Sequence, residues 1–344
     1  MTESSLSDAT EFGATRMNGV ASLPPLLVRY EREPLPQLLA DPAVIAVVGF
    51  GAAAPASDTD PRYLHLPLEP VDAMAPFEVW RGSGPVRSAA ADHVRSNGNA
   101  DYAIGALEID EAEHGGIAGA ARHAYRELAA WLAASHTPHV LRIWNYLDAI
   151  NDGDGDTERY REFCRGRAEG MRSAFADGFP AATAIGVRDG RRLLRVYWIA
   201  ARQRGTALEN PRQISAWRYP RQYGPSAPTF ARAMHAPTAT PQLYISGTAA
   251  IVGHTSHHVD DFAAQVDETL ANFGSLMQAA GLPPALHYGA GCVLKIYVRR
   301  AEDVGRVRTL LAQRLPPATA LLLLHGDICR RELLIEIDGI QGGV

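Results

Sequence analysis

A single carboxylate interrupts an apolar strand pattern near the C-terminus. Residues 333–337 read Leu-Leu-Ile-Glu-Ile, and alternation along a strand places Leu333, Ile335 and Ile337 on one face and Glu336 on the other. A carboxylic acid that stays protonated in a dry pocket can deliver a proton to a substrate carbon. The alternative is a solvent-facing glutamate on an outer sheet face, where this residue type usually lies.

Arginine and aromatic residues concentrate in residues 205–240, a long connection between regular elements. Loops of this length are usually functional or disordered, and the aromatic content argues against disorder. Arg221 and Tyr223 share a face if this stretch is extended, as Pro220 favours, and Tyr219 precedes them. The guanidinium fork binds carboxylates at two points, so the segment is a candidate wall of an anion-binding site. Ordinary packing of arginine on aromatic rings is the alternative.

Four further residues are candidates for substrate binding. Arg142 and Tyr146 lie on a predicted strand, where Arg142 could bind a carboxylate or only pair with an acidic side chain. Gly247 and Thr248 end another predicted strand and could offer a backbone N–H and a hydroxyl group to a substrate. A simple strand-end turn is the alternative for this second pair.

Two patterns that resemble metal sites are incomplete. His254, His257 and His258 follow a strand in a loop, without a cysteine or carboxylate set at metal-ligand spacing. Asp152 begins a series like that of a calcium loop, but position six is Thr157 rather than glycine. We therefore predict that the protein has no metal site.

The secondary-structure elements that must position these residues are predicted to occur twice along the chain, in the same order. The second copy contains a strand, a helix with an apolar stripe, a strand, a basic helix and two strands, at residues 243–251, 262–280, 292–299, 301–314, 320–325 and 333–337. The first copy has the same order, with its first four elements at residues 102–109, 121–132, 140–146 and 158–175. Its last two strands begin near residues 180 and 191. Such a repeat predicts an α+β protein of two sheet-and-helix units packed together.

The two copies also align in sequence. Val140-Leu-Arg-Ile-Trp matches Val293-Leu-Lys-Ile-Tyr, and Arg191-Arg-Leu-Leu matches Arg330-Arg-Glu-Leu-Leu with one inserted residue. The second match makes Val196 the counterpart of Glu336. Because the first copy has no acid there, the strand itself does not require one, and this favours a chemical role for Glu336.

Length and composition limit the protein class. The 344 residues suggest more than one packed unit, and a net charge of -5 gives no reason to expect nucleic acid or a membrane surface as a partner. No run of apolar residues is long enough to span a bilayer, and the polar N-terminus lacks a signal-peptide core. Three cysteines are too few for a disulfide framework and indicate a cytoplasmic protein.

We predict four segments from these patterns. They are a flexible N-terminal arm, an N-terminal domain, an arginine- and aromatic-rich connection and a C-terminal domain with the candidate acid, at residues 1–25, 26–204, 205–240 and 241–344.

The second copy resembles the YjgF/Rid family in Tyr244-Ile-Ser-Gly-Thr and Leu334-Ile-Glu-Ile-Asp. The resemblance implies tandem Rid-like (YjgF-type, chorismate-mutase-like) units. Members usually form trimers, so either a monomer with internal pseudo-symmetry or a homotrimer is expected. The arginine that binds substrate in the imine deaminases is replaced by Thr319 and by Ala182 in the two copies, which argues against that activity.

Longer blocks resemble the chorismatases, across roughly residues 60–340. They include Arg142-Ile-Trp-Asn-Tyr-Leu, Trp217-Arg-Tyr-Pro-Arg-Gln-Tyr-Gly-Pro and Gly326-Asp-Ile-Cys-Arg-Arg-Glu-Leu-Leu-Ile-Glu-Ile-Asp-Gly. This resemblance implies an enzyme that removes pyruvate from chorismate without a metal or an organic cofactor, with Glu336 as its acid. The residues expected to bind substrate are Arg142, Tyr146, Tyr219, Arg221, Tyr223, Gly247 and Thr248.

Cys329, seven residues before Glu336, is the subtype marker that the resemblance implies. A cysteine at this spacing goes with members that form 3-hydroxybenzoate, some of which also release 4-hydroxybenzoate. In an extended strand the two residues would lie about 23 Å apart on opposite faces, so a shared site requires a turn near Arg330 and Arg331. Two alternatives remain, which are a hydrolytic chorismatase giving a dihydroxycyclohexadiene carboxylate and a non-catalytic Rid-like metabolite-binding module.

Overall fold

A computed structural model describes residues 22–71, 75–91, 93–284 and 287–343. The expected flexible arm lies outside the described residues up to residue 21. Within the described ranges, no helix combines the length and the apolar character needed to cross a membrane.

Three sheets with their helices follow one another along the chain. The first is built from β1 (Leu27–Glu31), α1 (Leu35–Ala40), β2 (Val44–Phe50), β3 (Tyr63–Leu66) and β4 (Phe77–Arg81). The second is built from β5 (Arg87–Ala91), β6 (Val94–Gly98), β7 (Tyr102–Asp110), α2 (Ile117–Ala134), β8 (His139–Asp148), α3 (Arg159–Met171), β9 (Ala181–Val187) and β10 (Leu193–Ala201).

The rest of the chain forms the third sheet and its additions. These elements are β11 (Thr206–Leu208), β12 (Ala233–His235), β13 (Leu243–Thr248), β14 (Ile251–Val252), β15 (Thr255–Ser256), α4 (Phe262–Ala279), β16 (Cys292–Val298), α5 (Val304–Arg314), β17 (Ala320–His325), β18 (Asp327–Ile328) and β19 (Ile335–Gln341). β14 and β15 form a separate two-stranded ribbon, and β18 joins the second sheet beside β9.

The expected helices form where apolar residues recur at helical spacing. In α4 the carboxylate of Asp261 accepts a hydrogen bond from the Ala264 N–H and caps the helix start. Phe262, Val266 and Phe273 are fully buried against the third sheet. The chain leaves this helix at Gly281, whose φ of +75° suits a residue without a side chain.

The two copies have the same sheet topology. The strands lie in the order β9-β8-β10-β7 in the first copy and β17-β16-β19-β13 in the second. In both, the first pair is parallel and the other two pairs are antiparallel. The predicted α+β class and the duplication are therefore confirmed.

A third, smaller unit was not anticipated from the sequence. The first sheet has the order β3-β2-β4-β1, again with one parallel pair followed by two antiparallel pairs. In the described residues of this unit the one α-helix is α1, with six residues, and a loop takes the place of a second helix between β2 and β3. The predicted range 26–204 thus contains two sheets, and the domain boundaries stay a prediction.

The three sheets pack their inner faces against one another. Trp80 of the first sheet meets Trp144 of the second edge to face, with ring centroids 5.9 Å apart. Lys295 of the third sheet lies 2.9 Å from the Glu78 carboxylate of the first and donates to the Tyr197 hydroxyl of the second at 2.9 Å. Removing either partner of this buried ion pair would leave an uncompensated charge, so it ties all three sheets to one arrangement.

The strand register corrects the alignment that paired Glu336 with Val196. Tyr297 lies opposite Glu336, and its aligned partner Trp144 lies opposite Tyr197. Tyr197 faces the other sheets, as Glu336 does, whereas Val196 packs toward the helices. Tyr197 follows Arg191 at the same distance as Glu336 follows Arg330, so the two copies match here without an inserted residue and the true counterpart is Tyr197. This residue is polar but not acidic at neutral pH.

Candidate active site

A cavity of about 490 Å³ opens between the second and third sheets. Its walls come from α3, β9, β13 and β19, together with the connecting segment and the turn before β19. The residues that line it include Tyr160, Arg167, Thr183, Tyr219, Tyr223, Phe230, Arg232, Gly247, Cys329, Arg330 and Glu336. The volume is typical of a small-molecule site.

Glu336, the second residue of β19, presents a carboxyl group to this cavity. The residue is only 5% exposed, and among the described residues no donor forms a hydrogen bond to its carboxyl group. Burial, assisted by the negative charge of Asp338, raises the pKa of Glu336 to about 8, although Arg142, Arg232 and Arg299 act in the opposite direction. Glu336 is therefore a neutral acid at pH 7, which is the state that proton donation needs.

Asp338 lies on the same face of β19 but has a different environment. It forms an ion pair with Arg142 at 3.3 Å and accepts hydrogen bonds from the Trp144 Nε1–H and the Tyr297 hydroxyl at 3.2 Å and 2.8 Å. One carboxyl group is thus paired and hydrogen-bonded while Glu336 beside it is not. Such pairs distinguish a structural carboxylate from a proton donor.

The backbone of Gly247 lies directly against the carboxyl group of Glu336. The register of β13 against β19 shifts between Ile245 and Thr248, and this bulge places Gly247 in the cavity wall. A β-carbon at Gly247 would lie 2.0 Å from Glu336 Oε1. Thr248 is buried and donates its hydroxyl hydrogen to the Ser246 carbonyl at 2.9 Å, outside the cavity lining.

A turn brings Cys329 to the same cavity as Glu336. β18 pairs with β9 of the second sheet, whereas β19 belongs to the third, so the chain crosses between sheets from Ile328 to Ile335. The Leu333 N–H donates to the Arg330 carbonyl at 3.1 Å and closes the turn that the sequence required. Burial, and then Glu336, raise the pKa of the Cys329 thiol, so it is a neutral S–H group here.

The connecting segment supplies Tyr219 and Tyr223 to the cavity. The Arg330 guanidinium lies over both rings, 5.3 Å and 4.0 Å from their centroids. The expected extended backbone at Arg221 is wrong, because Arg221–Tyr223 forms a 3-10 turn. Arg221 points away from the cavity and pairs with Asp156, with Nη1 and Oδ1 2.9 Å apart.

Arg142 and Tyr146 lie one layer behind the cavity wall. Both are fully buried, and neither is among the residues that line the cavity. Arg142 donates to the Thr183 hydroxyl in addition to its ion pair with Asp338, and Thr183 does line the cavity. The Tyr146 hydroxyl lies 3.4 Å from that of Tyr197. The structure thus groups Glu336, Cys329, Tyr219, Tyr223 and Gly247, and separates Arg142, Tyr146, Arg221 and Thr248 from them.

Two buried arginines of the cavity were missed in the sequence. Arg167 on α3 stacks over the Tyr125 ring at 5.0 Å, and its Nε and Nη2 have no hydrogen-bond partner among the described residues. Arg232 donates to the Tyr219 hydroxyl at 2.7 Å, and its Nε is likewise unpartnered in the described part. Each residue is 3% exposed. Their position in arginine-rich blocks was a signal, but nothing in the sequence separated them from surface arginines.

Comparisons with known proteins identify the relatives of this chain. Residues 78–200 match the family model described as Chorismatase FkbO/Hyg5-like, N-terminal. A chorismatase from Streptomyces rapamycinicus is 37% identical over 275 residues, which is 76% of this chain and 81% of the relative. A 3-hydroxybenzoate synthase from Streptomyces hygroscopicus is 34% identical over 313 residues, which is 86% of this chain and 91% of the relative.

A solved structure extends the match to the whole fold. The crystal structure of a chorismatase at 1.08 Å resolution superposes with a TM-score of 0.82 at 31% identity, covering 94% of this chain and all of that one. The chain belongs to the FkbO/Hyg5-like chorismatase family.

Proposed function

We propose that this chorismatase converts chorismate to 3-hydroxybenzoate and pyruvate, and that 4-hydroxybenzoate is a second product. The observation that carries the proposal is the neutral carboxyl group of Glu336 in a cavity that also holds the Cys329 thiol. The 3-hydroxybenzoate synthase relative, with its 91% coverage, supports the aromatising product.

The cavity suits the chemistry of chorismate, which carries two carboxylates and an enol ether. Arg167 and Arg232 are buried, charged and incompletely hydrogen-bonded, so each can pair with one carboxylate without giving up an existing partner. Tyr219 and Tyr223 supply hydroxyl groups and ring faces on the same wall. These contacts would hold the substrate with its enol ether near Glu336.

The reaction begins with proton transfer from Glu336 to the methylene carbon of the enolpyruvyl group. The resulting oxocarbenium ion makes the pyruvyl oxygen a good leaving group. The 4-hydroxyl group then displaces it from C3 and loses its proton, which gives an arene oxide and pyruvate. Opening of the oxide restores aromaticity and gives 3-hydroxybenzoate. The neutral Cys329 thiol, in the same cavity, assists proton movement in this last step.

A hydrolytic chorismatase would instead admit water as the nucleophile. Separation of the products by HPLC distinguishes the two reactions, with pyruvate coupled to lactate dehydrogenase as a second readout. We expect 3-hydroxybenzoate and an equal amount of pyruvate. A dihydroxycyclohexadiene carboxylate in its place would overturn the aromatising reaction, and no pyruvate would overturn the enzymatic role in favour of a binding module.

We also propose that the protein is a cytoplasmic monomer. All three cysteines are free thiols, which supports a reducing compartment. The three sheets already pack their inner faces within one chain, which supports internal pseudo-symmetry in place of a homotrimer. Analytical ultracentrifugation should give the 37.1 kDa monomer mass, and a mass near three times that value would contradict the proposal.

A further inference from the structure

Arg299 uses its whole guanidinium group to hold the segment that carries Cys329. Its Nε donates to the Leu333 carbonyl at 2.7 Å, and its Nη2 donates to the carbonyls of Ile328 and Arg330 at 2.7 Å and 2.9 Å. Its Nη1 donates to Asn151 Oδ1 and Asp327 Oδ1, both at 3.0 Å. Five hydrogen bonds match the five donors that an arginine offers.

These acceptors surround the crossing between the two sheets. Cys329 lies between Ile328 and Arg330, whose carbonyls share one guanidinium nitrogen of Arg299. Leu333, the third carbonyl, stands two residues before β19 begins and three before Glu336. Arg299 therefore fixes the chain on both sides of the turn.

The same side chain joins this turn to the loop after β8. Asn151 belongs to this loop, in which Gly153 and Asp154 line the cavity. The Arg299 side chain is 14% exposed, and Arg299 itself is not among the cavity-lining residues. Apart from its positive charge near Glu336, it acts on the reaction through the groups that it holds.

We propose that Arg299 is a positioning residue that fixes the Cys329 thiol relative to the Glu336 carboxyl group and thereby sets turnover and product ratio. The effect on product ratio rests on the proposed aromatising function. A lysine has no planar guanidinium group and cannot donate to several carbonyls at once. Arg299→Lys therefore keeps the positive charge but loses most of the hydrogen bonds to the turn.

The test compares Arg299→Lys and Arg299→Gln with Arg188→Gln as the matched control. Arg188 is 54% exposed, pairs with the same Asp327 and donates to the Arg299 backbone carbonyl at 2.9 Å, but it contacts neither the Cys329 turn nor the cavity lining. The first readout is alkylation by iodoacetamide in the absence of substrate, followed by mass spectrometry. Cys164 and Cys292 are buried and serve as internal monitors of global unfolding.

We expect alkylation of Cys329 to rise about fivefold or more in both Arg299 variants, since several of the hydrogen bonds that hold the turn are lost. Cys164 and Cys292 should keep their wild-type rates, and Arg188→Gln should match the wild type throughout. With chorismate, kcat should fall about 10- to 100-fold while KM changes less than about threefold, because positioning is lost but the carboxylate-binding groups stay.

Two results would overturn the inference. One is unchanged Cys329 alkylation and product ratio in both Arg299 variants. The other is an equal rise in the alkylation of all three cysteines in both variants, which would mean that Arg299 only supports the global fold. If the wild-type protein formed a dihydroxycyclohexadiene carboxylate, the proposed function would fail. The difference in Cys329 alkylation between the Arg299 variants and the wild type would still decide the role of Arg299.

Discussion

Glu336 and Gly247 approach so closely that no methyl group fits between them, since a β-carbon at position 247 would lie 2.0 Å from Glu336 Oε1. The contact lies at the bulge between β13 and β19, where both residues belong to the cavity wall. The position of the acid is thus set by the backbone of the neighbouring strand as well as by its own strand.

Gly247→Ala should therefore displace the Glu336 carboxyl group. We expect kcat with chorismate to fall about 100-fold, the cost of a displacement near 1 Å at a reacting group. Gly274→Ala is the control, because Gly274 lies in α4 with open space around its α-carbon, and alanine should stabilise that helix by about 0.5–1 kcal/mol. Normal turnover in Gly247→Ala would contradict the close contact.

Glu336→Gln should lose activity and gain stability. Rate should fall by about two to four orders of magnitude, because glutamine cannot donate the proton. The pKa of Glu336 is raised from 4.5 to about 8, so folding at pH 7 takes up a proton and stability falls as pH rises between these values. Removing that cost, about 1.4 kcal/mol per pH unit, should stabilise the variant by up to about 3 kcal/mol at pH 7.

Urea unfolding at pH 5 and pH 7 measures this gain. The advantage of Glu336→Gln over wild type should shrink to less than about 1 kcal/mol at pH 5, where the unfolded glutamate is already partly protonated. Near-normal turnover, or a stability gain independent of pH, would refute the assignment of Glu336 as a neutral buried acid.

Asp338→Asn should move the alkaline limit of activity to lower pH. The substitution removes a negative charge beside Glu336 and leaves Arg142 without its ion-pair partner, and both changes favour ionised Glu336. Because the protonated acid is the active form, kcat should begin to fall about one pH unit below the wild-type limit. Asp267→Asn, at an exposed ion pair with Arg314, removes the same charge elsewhere and should leave the profile in place.

Arg167→Gln and Arg232→Gln should each weaken substrate binding. Loss of a charge-assisted hydrogen bond to a carboxylate costs about 1.5–3 kcal/mol, so KM for chorismate should rise about 10- to 150-fold. Arg165→Gln is the matched control, because Arg165 lies on the same helix but is 44% exposed and pairs with Glu162. Steady-state kinetics in which all three variants behave alike would remove both arginines from the substrate site.

The order of elements in the two larger copies could be predicted because each copy has long apolar stripes and strands. The helix expected from residue 262 begins at Phe262, and the strand expected at residues 320–325 is Ala320–His325. The smallest unit could not be found in this way. Its helix α1 has only six residues, and the residues between its strands β2 and β3 show no helical pattern. Only the shared strand order identifies it.

Side-chain direction was the harder problem in the candidate site. Matching the two Leu-Leu pairs required one inserted residue, and that insertion made Val196 rather than Tyr197 the counterpart of Glu336. Sequence also cannot tell an arginine that pairs with a buried acid behind the cavity wall, as Arg142 does, from one that lines the cavity, as Arg232 does. The pairing depends on contacts between distant strands.

The protonation state of Glu336 is the central physical claim, and infrared difference spectroscopy of wild type against Glu336→Gln between pH 5 and pH 9 measures it directly. The C=O stretching band of a protonated carboxyl group should be present at pH 7 in the wild type and should disappear through about pH 8. A band that is already absent at pH 7, with a midpoint near the ordinary value of 4.5, would contradict the account.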